Sequence, residues 1–112
     1  MKICMIGTGY VGLVSGTCFA DIGHQVYCVD KDLSKINQLN SGISPIYEPG
    51  LDELIKKNHK AKRLYFTSDL KKAITVSDII FICVGTPNIK GSLKVDLSFV
   101  FKCTKEILVI TK

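Results

Sequence analysis

The sequence predicts an α/β fold in which strands and helices alternate around a parallel sheet. Short apolar runs recur along the chain, as is typical of strands buried on both faces. Segments with apolar residues at helical spacing separate these runs, and this order favours parallel strands joined by right-handed crossovers. With 112 residues, the chain is long enough for one domain with a buried core.

The first strand, helix and second strand form the clearest unit. An apolar strand is predicted at residues 3–6, and a glycine-rich loop follows at 7–12. From Val11, apolar residues recur at helical spacing until Gly23, which can end a helix because glycine tolerates positive φ. A second strand is predicted at residues 25–29.

The remaining predicted elements continue the alternation. The next is a helix capped by Asp32, with Leu33, Ile36 and Leu39 on one face. A helix with Pro49 in its first turn follows and carries Leu51, Leu54 and Ile55. The others, in chain order, are a strand at 64–67, a helix from Asp69 through Ile74, a strand at 79–84, a loop at 85–91, a helix opened by Asp96 and a strand at 107–110. The strand at 79–84 is strongly apolar, so we expect it at the centre of the sheet.

The last predicted crossover is short. A helix over residues 97–106 spans about 15 Å, which is little for a connection between parallel strands. Either this crossover is compressed or the tail forms no native strand.

Composition excludes several classes of function. The net charge is +5, but the lysines are spread along the chain without interleaved aromatics, so no nucleic-acid partner is predicted. The five cysteines show no CxxC spacing, which predicts a reducing, cytoplasmic compartment and no metal site. No segment reaches membrane-spanning length, so no membrane partner is predicted.

The glycine-rich loop has the pattern of a dinucleotide site. Its residues are Gly7, Thr8, Gly9, Tyr10, Val11 and Gly12, placed between a strand and a helix. Gly7 allows a tight turn, Gly9 lets the backbone approach a pyrophosphate, and Gly12 permits close packing of helix on sheet. The helix N-terminus offers unpaired N–H groups to a phosphate. These features predict a Rossmann-type doubly wound sheet.

Asp30 directs the cofactor prediction to NAD. It ends the second predicted strand, about 20 residues beyond the glycine loop, where a ribose-binding acid belongs. Its carboxylate can accept hydrogen bonds from both ribose hydroxyls, whereas the 2′-phosphate of NADP would meet like charge. Lys31 and Lys35 moderate this prediction, because a nearby lysine could tolerate a 2′-phosphate; both also fit a solvated helix face.

The chain resembles the UDP-glucose/GDP-mannose dehydrogenase family over most of its length, to about residue 106. Three stretches carry the resemblance: MKICMIGTGYVGLVSG at the start, PIYEPGL from Pro45, and CVGTP from Cys83 with the later Gly91-Ser92 and Asp96-Leu97-Ser98. Other dinucleotide-binding dehydrogenases, such as hydroxyacyl or phosphogluconate dehydrogenases, lack the Glu-Pro-Gly-Leu stretch. The Glu48-Pro49-Gly50 stretch is interpreted as structural, as a cap and helix start, because an acid there would favour the helix N-terminus.

The resemblance implies an activity and a set of cofactor contacts. Members of the family oxidise the C6 alcohol of a nucleotide sugar to a carboxylate with two NAD⁺. The expected NAD contacts here are Gly7, Gly9, Tyr10, Val11, Gly12, Asp30, Lys35 and Thr86. UDP-glucose is the expected substrate of the full-length enzyme, and homo-oligomers are expected from the family.

The resemblance also limits what this chain is expected to do. The family's cysteine nucleophile and its other catalytic residues lie beyond residue 112, so we expect no catalytic residue here. Residues 1–112 are then a truncated NAD-binding domain, incomplete at the C-terminal end of its sheet and without the substrate domain. Two hypotheses follow: the N-terminal part of an enzyme that converts UDP-glucose to UDP-glucuronate, or a non-catalytic cofactor-binding remnant of a truncated or split gene. In both, the chain alone is expected to be inactive.

Overall fold

The computed structural model describes residues 1–111, and Lys112 at the end of the predicted domain lies outside the described residues. In this range the chain forms four strands and five helices. In chain order they are β1 (Lys2–Ile6), α1 (Tyr10–Asp21), β2 (Gln25–Val29), α2 (Leu33–Asn40), α3 (Leu51–Lys60), β3 (Leu64–Thr67), α4 (Leu70–Val76), β4 (Ile79–Ile82) and α5 (Ser98–Thr111).

The strands form one sheet in the order β3-β2-β1-β4, and every pair is parallel. The register places Ile3 of β1 between Val26 of β2 and Ile79 of β4. Because all strands run the same way, β1, β2 and β4 end at the same edge of the sheet. The loops that follow them therefore start side by side, where ligands bind in open α/β sheets.

Helices cover both faces of the sheet, which confirms the predicted doubly wound α/β fold. Helices α1, α2 and α3 pack on one face over a buried apolar cluster formed by Ile3, Met5, Leu13, Ala20, Val26, Cys28, Ile36, Leu39, Leu51, Ile55, Leu64 and Phe66. Helices α4 and α5 pack on the other face over Cys4, Ile6, Val29, Ala73, Ile74 and Cys103.

The predicted helix boundaries hold where a local signal sets them. Gly23 follows α1 with a φ of +110°, and its N–H donates to the Ala20 carbonyl at 3.0 Å. Asp32 caps α2 by accepting from two amide N–H groups, and Asp69 caps α4 by accepting from one. Helix α4 runs two residues past its predicted end.

Two details of the predicted helices are wrong. Leu33 is 61% exposed, so only the other two apolar residues of α2 face the core. Pro49 lies before α3 rather than in its first turn, because Gly50 stands between them in the left-handed conformation at a φ of +82°. That backbone conformation cannot continue a helix, so α3 begins at Leu51.

β4 lies at the edge of the described sheet, whereas the sequence predicted a central strand. It ends at Ile82, and Ile79 and Ile82 are 41% and 38% exposed. Its apolar character comes from packing on both faces, not from its place in the strand order. Phe81 stacks on Phe19 of α1 at 5.5 Å, and Ile80 joins the opposite cluster with α4 and α5.

The predicted strand at 107–110 is also wrong, because α5 continues through these residues to Thr111. Ile107 and Ile110 lie one and two helical turns beyond Cys103, and all three pack into the cluster with Ala73 and Ile74. This helical spacing buries one side of the apolar run, which a strand would not do here. The alternative that the tail forms no native strand is therefore the one observed.

Candidate functional site

The glycine loop joins β1 to α1 at the carboxyl edge of the sheet, and two of its glycines are held by close backbone contacts. The Gly7 N–H donates to the Val29 carbonyl at 2.7 Å, and Gly7 has a φ of +106°. A Cβ at Gly7 would lie 2.5 Å from the Cys83 carbonyl oxygen, and one at Gly12 would lie 2.0 Å from the Gly7 oxygen. The loop is therefore packed against itself and against the start of the loop after β4.

Gly9 differs from these two glycines because it faces open space. A Cβ added there would meet no atom within 4 Å, and its φ of −72° is available to any residue. Gly9 caps α1 without a side chain, and its carbonyl accepts the first helical hydrogen bond, from Leu13, at 2.9 Å. The amides of residues 10–12 precede that bond and, as first-turn N–H groups, have no partner within the helix.

This geometry fits a pyrophosphate. The helix end presents N–H groups and a positive dipole, and the first turn of α1 contains no acidic residue to oppose an anion. The backbone at Gly9 is clear of side chains on its outer side. An anionic group can therefore approach the helix N-terminus closely.

Asp30, at the end of β2, is fixed by hydrogen bonds to the glycine loop. Its Oδ2 accepts from the amide and the hydroxyl of Thr8 at 3.0 and 2.6 Å. Its Oδ1 accepts from the Asp32 amide at 3.0 Å. Because each carboxylate oxygen can accept two hydrogen bonds, Oδ1 keeps the capacity to bind one ribose hydroxyl.

The same contacts set the ionisation of Asp30. Partial burial opposes the charged form, but the Thr8 hydroxyl, the Asp32 and Thr8 amides and the Lys35 ammonium outweigh it, so the pKa of Asp30 lies below its ordinary value. The carboxylate is ionised at neutral pH. It therefore carries the negative charge that the NAD prediction requires, and Lys35 lies near enough to act on it.

Three other predicted contacts lie at the same edge of the sheet. Tyr10 and Val11 occupy the first turn of α1 and are 55% and 65% exposed. Thr86 is exposed on the loop after β4, three residues beyond Cys83, which contacts the glycine loop. All three side chains are thus accessible to a ligand lying across the carboxyl ends of β1 and β4.

The Glu48-Pro49-Gly50 stretch caps α3 as predicted, and Glu48 also contacts α1. Gly50 occupies the cap position of α3, and the Glu48 carboxylate accepts a hydrogen bond from the Tyr10 hydroxyl at 2.9 Å. This bond, together with the Glu48 charge, raises the pKa of Tyr10. Glu48 therefore connects the turn-rich stretch before α3 to the first residue of α1.

A cavity of about 480 Å³ lies beside the site rather than in it. It is lined by residues 44–50 with Asp52 and Glu53. Its three carboxylates make it a poor host for a pyrophosphate, and neither the glycine loop nor Asp30 lines it. The surface at the glycine loop is therefore the better candidate for a dinucleotide.

The cysteines of this region are not activated for chemistry. Burial, with a smaller contribution from Cys103, raises the pKa of Cys4 to about 12, and burial also raises the pKa of Cys83. Thiols with raised pKa values stay protonated at neutral pH and are weak nucleophiles. Within residues 1–111 there is also no cluster of three or more His, Cys, Asp or Glu side chains that could hold a metal ion.

Two residues of the site were not predicted from the sequence as functional. Thr8 lies between the glycines, and nothing in the motif indicates that its hydroxyl would bind Asp30. Glu48 meets Tyr10 across 38 positions of sequence, a contact that only the fold creates.

Comparison with known proteins gives a consistent result. The NAD-binding domain of the UDP-glucose/GDP-mannose dehydrogenase family matches residues 1–112. A UDP-glucose 6-dehydrogenase from Rhizobium meliloti is 58% identical over 107 residues, covering 96% of this chain and 24% of the relative. The GDP-mannose 6-dehydrogenase of Pseudomonas aeruginosa is 44% identical over the same coverage.

Solved structures agree with the sequence relatives. A crystal structure of a ternary complex of GDP-mannose dehydrogenase from Pseudomonas aeruginosa superposes with a TM-score of 0.91 at 44% identity, covering 96% of this chain and 24% of that one. UDP-glucose dehydrogenase from Pyrobaculum islandicum superposes with a TM-score of 0.89 at 34% identity, covering 95% and 24%. The chain thus spans about a quarter of the length of these relatives.

Proposed function

Because this chain belongs to the UDP-glucose/GDP-mannose dehydrogenase family, as its NAD-binding domain, we propose that it binds NAD at the glycine loop for an enzyme that oxidises UDP-glucose to UDP-glucuronate. The observation that carries the proposal is the paired placement of the clear helix N-terminus at Gly9 and the ionised Asp30. When bound, NAD supplies a hydride acceptor. The residues of this chain hold and orient it.

The geometry of the site supports the proposed contacts at the glycine loop and at Asp30. Gly7 and Gly12 keep the loop compact, and the first-turn amides of residues 10–12 receive the pyrophosphate. Asp30 accepts a ribose hydroxyl on its free Oδ1 position. Lys35 and Thr86 complete the proposed set.

The substrate is proposed from the relatives. Two relatives at 58% and 57% identity are UDP-glucose 6-dehydrogenases, whereas the GDP-mannose enzyme is 44% identical. A nucleotide sugar is therefore the substrate class, with UDP-glucose preferred. The groups that act on C6 belong, in this proposal, to the three quarters of the relatives' length that this chain does not match.

The setting of the protein is also part of the proposal. All five cysteines are free thiols, which supports a reducing, cytoplasmic compartment. Within residues 1–111, no helix has both the length and the apolar character that crossing a membrane requires. Assembly into homo-oligomers stays a prediction from the family.

Calorimetric titration of the 112-residue chain with NAD tests the cofactor site. We expect saturable binding that Asp30→Ala weakens at least tenfold, because the variant loses both a ribose acceptor and the anchor of the loop. Asp69→Ala is the matched control, because the Asp69 carboxylate also accepts a backbone amide hydrogen bond, but from Lys72 of α4 and not from the glycine loop. Equal NAD affinity in the Asp30 variant and the parent chain would remove Asp30 from the site.

A turnover assay tests the proposal that the groups acting on C6 lie outside this chain. We expect no NADH from the 112-residue chain with UDP-glucose and NAD, since the Cys4 and Cys83 thiols have raised pKa values and the groups that act on C6 are proposed to lie outside this chain. Measurable NADH fluorescence above a blank without UDP-glucose would contradict this prediction. NAD binding without turnover is expected both for a domain of a larger enzyme and for a non-catalytic remnant.

A further inference from the structure

An ion pair joins the loop after β2 to α5, next to the candidate ribose acid. Lys31 directly follows Asp30, and its Nζ lies 3.3 Å from Oε1 of Glu106. In residues 1–111 one other ion pair is present, between Lys57 and Asp21 at the far end of α1. The pair at Lys31 is therefore the one beside the cofactor site.

We infer that Glu106 is a specificity residue that disfavours NADP by engaging Lys31. This inference rests on the proposed function, in which Asp30 receives the ribose of the cofactor. An enzyme of this fold accommodates a 2′-phosphate with a cation near the ribose acid. Lys31, which directly follows Asp30 in the sequence, is the candidate cation for that role. Its ammonium group is paired with the Glu106 carboxylate.

The charges around Asp30 show why this engagement matters. The neighbouring carboxylates are Asp30, Asp32 and Glu106, and the neighbouring cations are Lys31 and Lys35. Lys35 acts on Asp30 itself and helps to lower its pKa. Each lysine thus already interacts with a carboxylate, Lys31 with Glu106 and Lys35 with Asp30. The five groups together carry one net negative charge. A dianionic 2′-phosphate meets no free cation among them.

Glu106 is held in this position by the packing of α5. The next residue, Ile107, and Cys103 one turn earlier both pack against the sheet face that also carries Ala73. Because this contact fixes the rotation of α5, Glu106 points to the β2 loop. The Glu106 side chain is 33% exposed, and that of Lys31 is 74% exposed.

The expected size of the effect follows from this exposure. Exposed ion pairs are weak and are screened by salt, so Glu106 cannot set the preference alone. Asp30 remains the main determinant. We expect Glu106 to contribute about two- to fivefold to the ratio of NADP to NAD dissociation constants, a range typical of one exposed ion pair.

The test is calorimetric titration of Glu106→Gln with NAD and with NADP at low ionic strength. Glutamine keeps the shape of the side chain and removes its charge, so Lys31 becomes free to meet a 2′-phosphate. We expect the NADP-to-NAD ratio of dissociation constants to fall about two- to fivefold, while the NAD affinity changes less than about twofold. This gain in relative NADP affinity should become smaller as salt is added, because salt screens the interaction between the charges.

Two further variants isolate the proposed contact. Glu53→Gln removes the same charge from an exposed position on α3 and should leave the ratio unchanged. Adding Lys31→Ala to Glu106→Gln should abolish the gain, because the released cation is then absent. Circular dichroism checks that each variant folds, and Glu106→Ala replaces the glutamine variant if that one does not.

The outcomes separate the two proposals. An unchanged ratio in Glu106→Gln with NAD binding intact would overturn the role of Glu106 and leave the proposed function standing. A gain that survives the loss of Lys31 would also overturn it. Absence of NAD binding by the parent chain would overturn both.

Discussion

Substitution of Gly12 by alanine should destabilise the fold, although alanine is the better helix former. The added Cβ would lie 2.0 Å from the Gly7 carbonyl oxygen and 3.2 Å from the Cys83 Cβ. Ordinary contacts are about 3.5 Å, so the overlap is about 1.5 Å. The Gly7 carbonyl cannot easily move, because the Gly7 N–H is bonded to Val29 and Thr8 is bonded to Asp30.

The magnitude follows from two opposing effects. Overpacking against backbone costs about 3 kcal/mol, at the upper end of the usual range, because the neighbour is fixed. Replacing a helical glycine by alanine returns about 1 kcal/mol. The net loss of unfolding free energy is about 2 kcal/mol, which lowers Tm by about 8 °C for a domain of this size.

Gly9→Ala is the matched control for this prediction. Its Cβ would meet no atom within 4 Å, and the Gly9 φ suits alanine, so the stability should stay near that of the parent chain. The new methyl group faces the space proposed for the pyrophosphate, so NAD affinity should fall. Thermal unfolding followed by circular dichroism, with NAD titration, measures both. A Gly12→Ala variant that melts within roughly 2 °C of the parent chain would refute the steric reasoning.

Other predictions concern Asp30 and the sheet edge. The pKa of Asp30 is lowered from 3.8 on folding, so its stabilisation is present above that value and is lost as pH falls through the folded-state pKa. Thr8→Val should therefore lower stability at neutral pH, with the difference from Thr8→Ser shrinking in acid; a constant difference in urea unfolding across pH would contradict this. The unpaired edge of β4 should promote self-association, which Ile79→Lys should reduce and Val109→Lys on α5 should not. Analytical ultracentrifugation that shows a monomeric parent chain would contradict self-association through the β4 edge.

The parts of the fold that the sequence predicted well depend on local signals. The boundary after α1 follows from Gly23, and the starts of α2 and α4 follow from the aspartates that cap them. The glycine loop was predicted from residues close together in sequence. Each of these signals acts within one turn of helix or one loop, so neighbours in sequence suffice to identify it.

The parts that were predicted wrongly depend on distant packing. The run at residues 107–110 is apolar throughout, and a run of four apolar residues does not distinguish strand from helix. The helix prevails because Ile107 and Ile110 reach the cluster around Ala73, far away in sequence. The edge position of β4 likewise follows from strand order, which no local pattern encodes.

The hydrogen bonds between Thr8 and Asp30 give the Asp30 carboxylate a second role, because it anchors the glycine loop and is also the proposed ribose acceptor. A chain that replaced Asp30 to accept a different cofactor would also release the glycine loop from its anchor. The ion pair between Lys31 and Glu106 of α5 includes no residue of the glycine loop. Under the proposed role of Glu106, a substitution on α5 can adjust cofactor preference without releasing the glycine loop, whereas a substitution of Asp30 cannot.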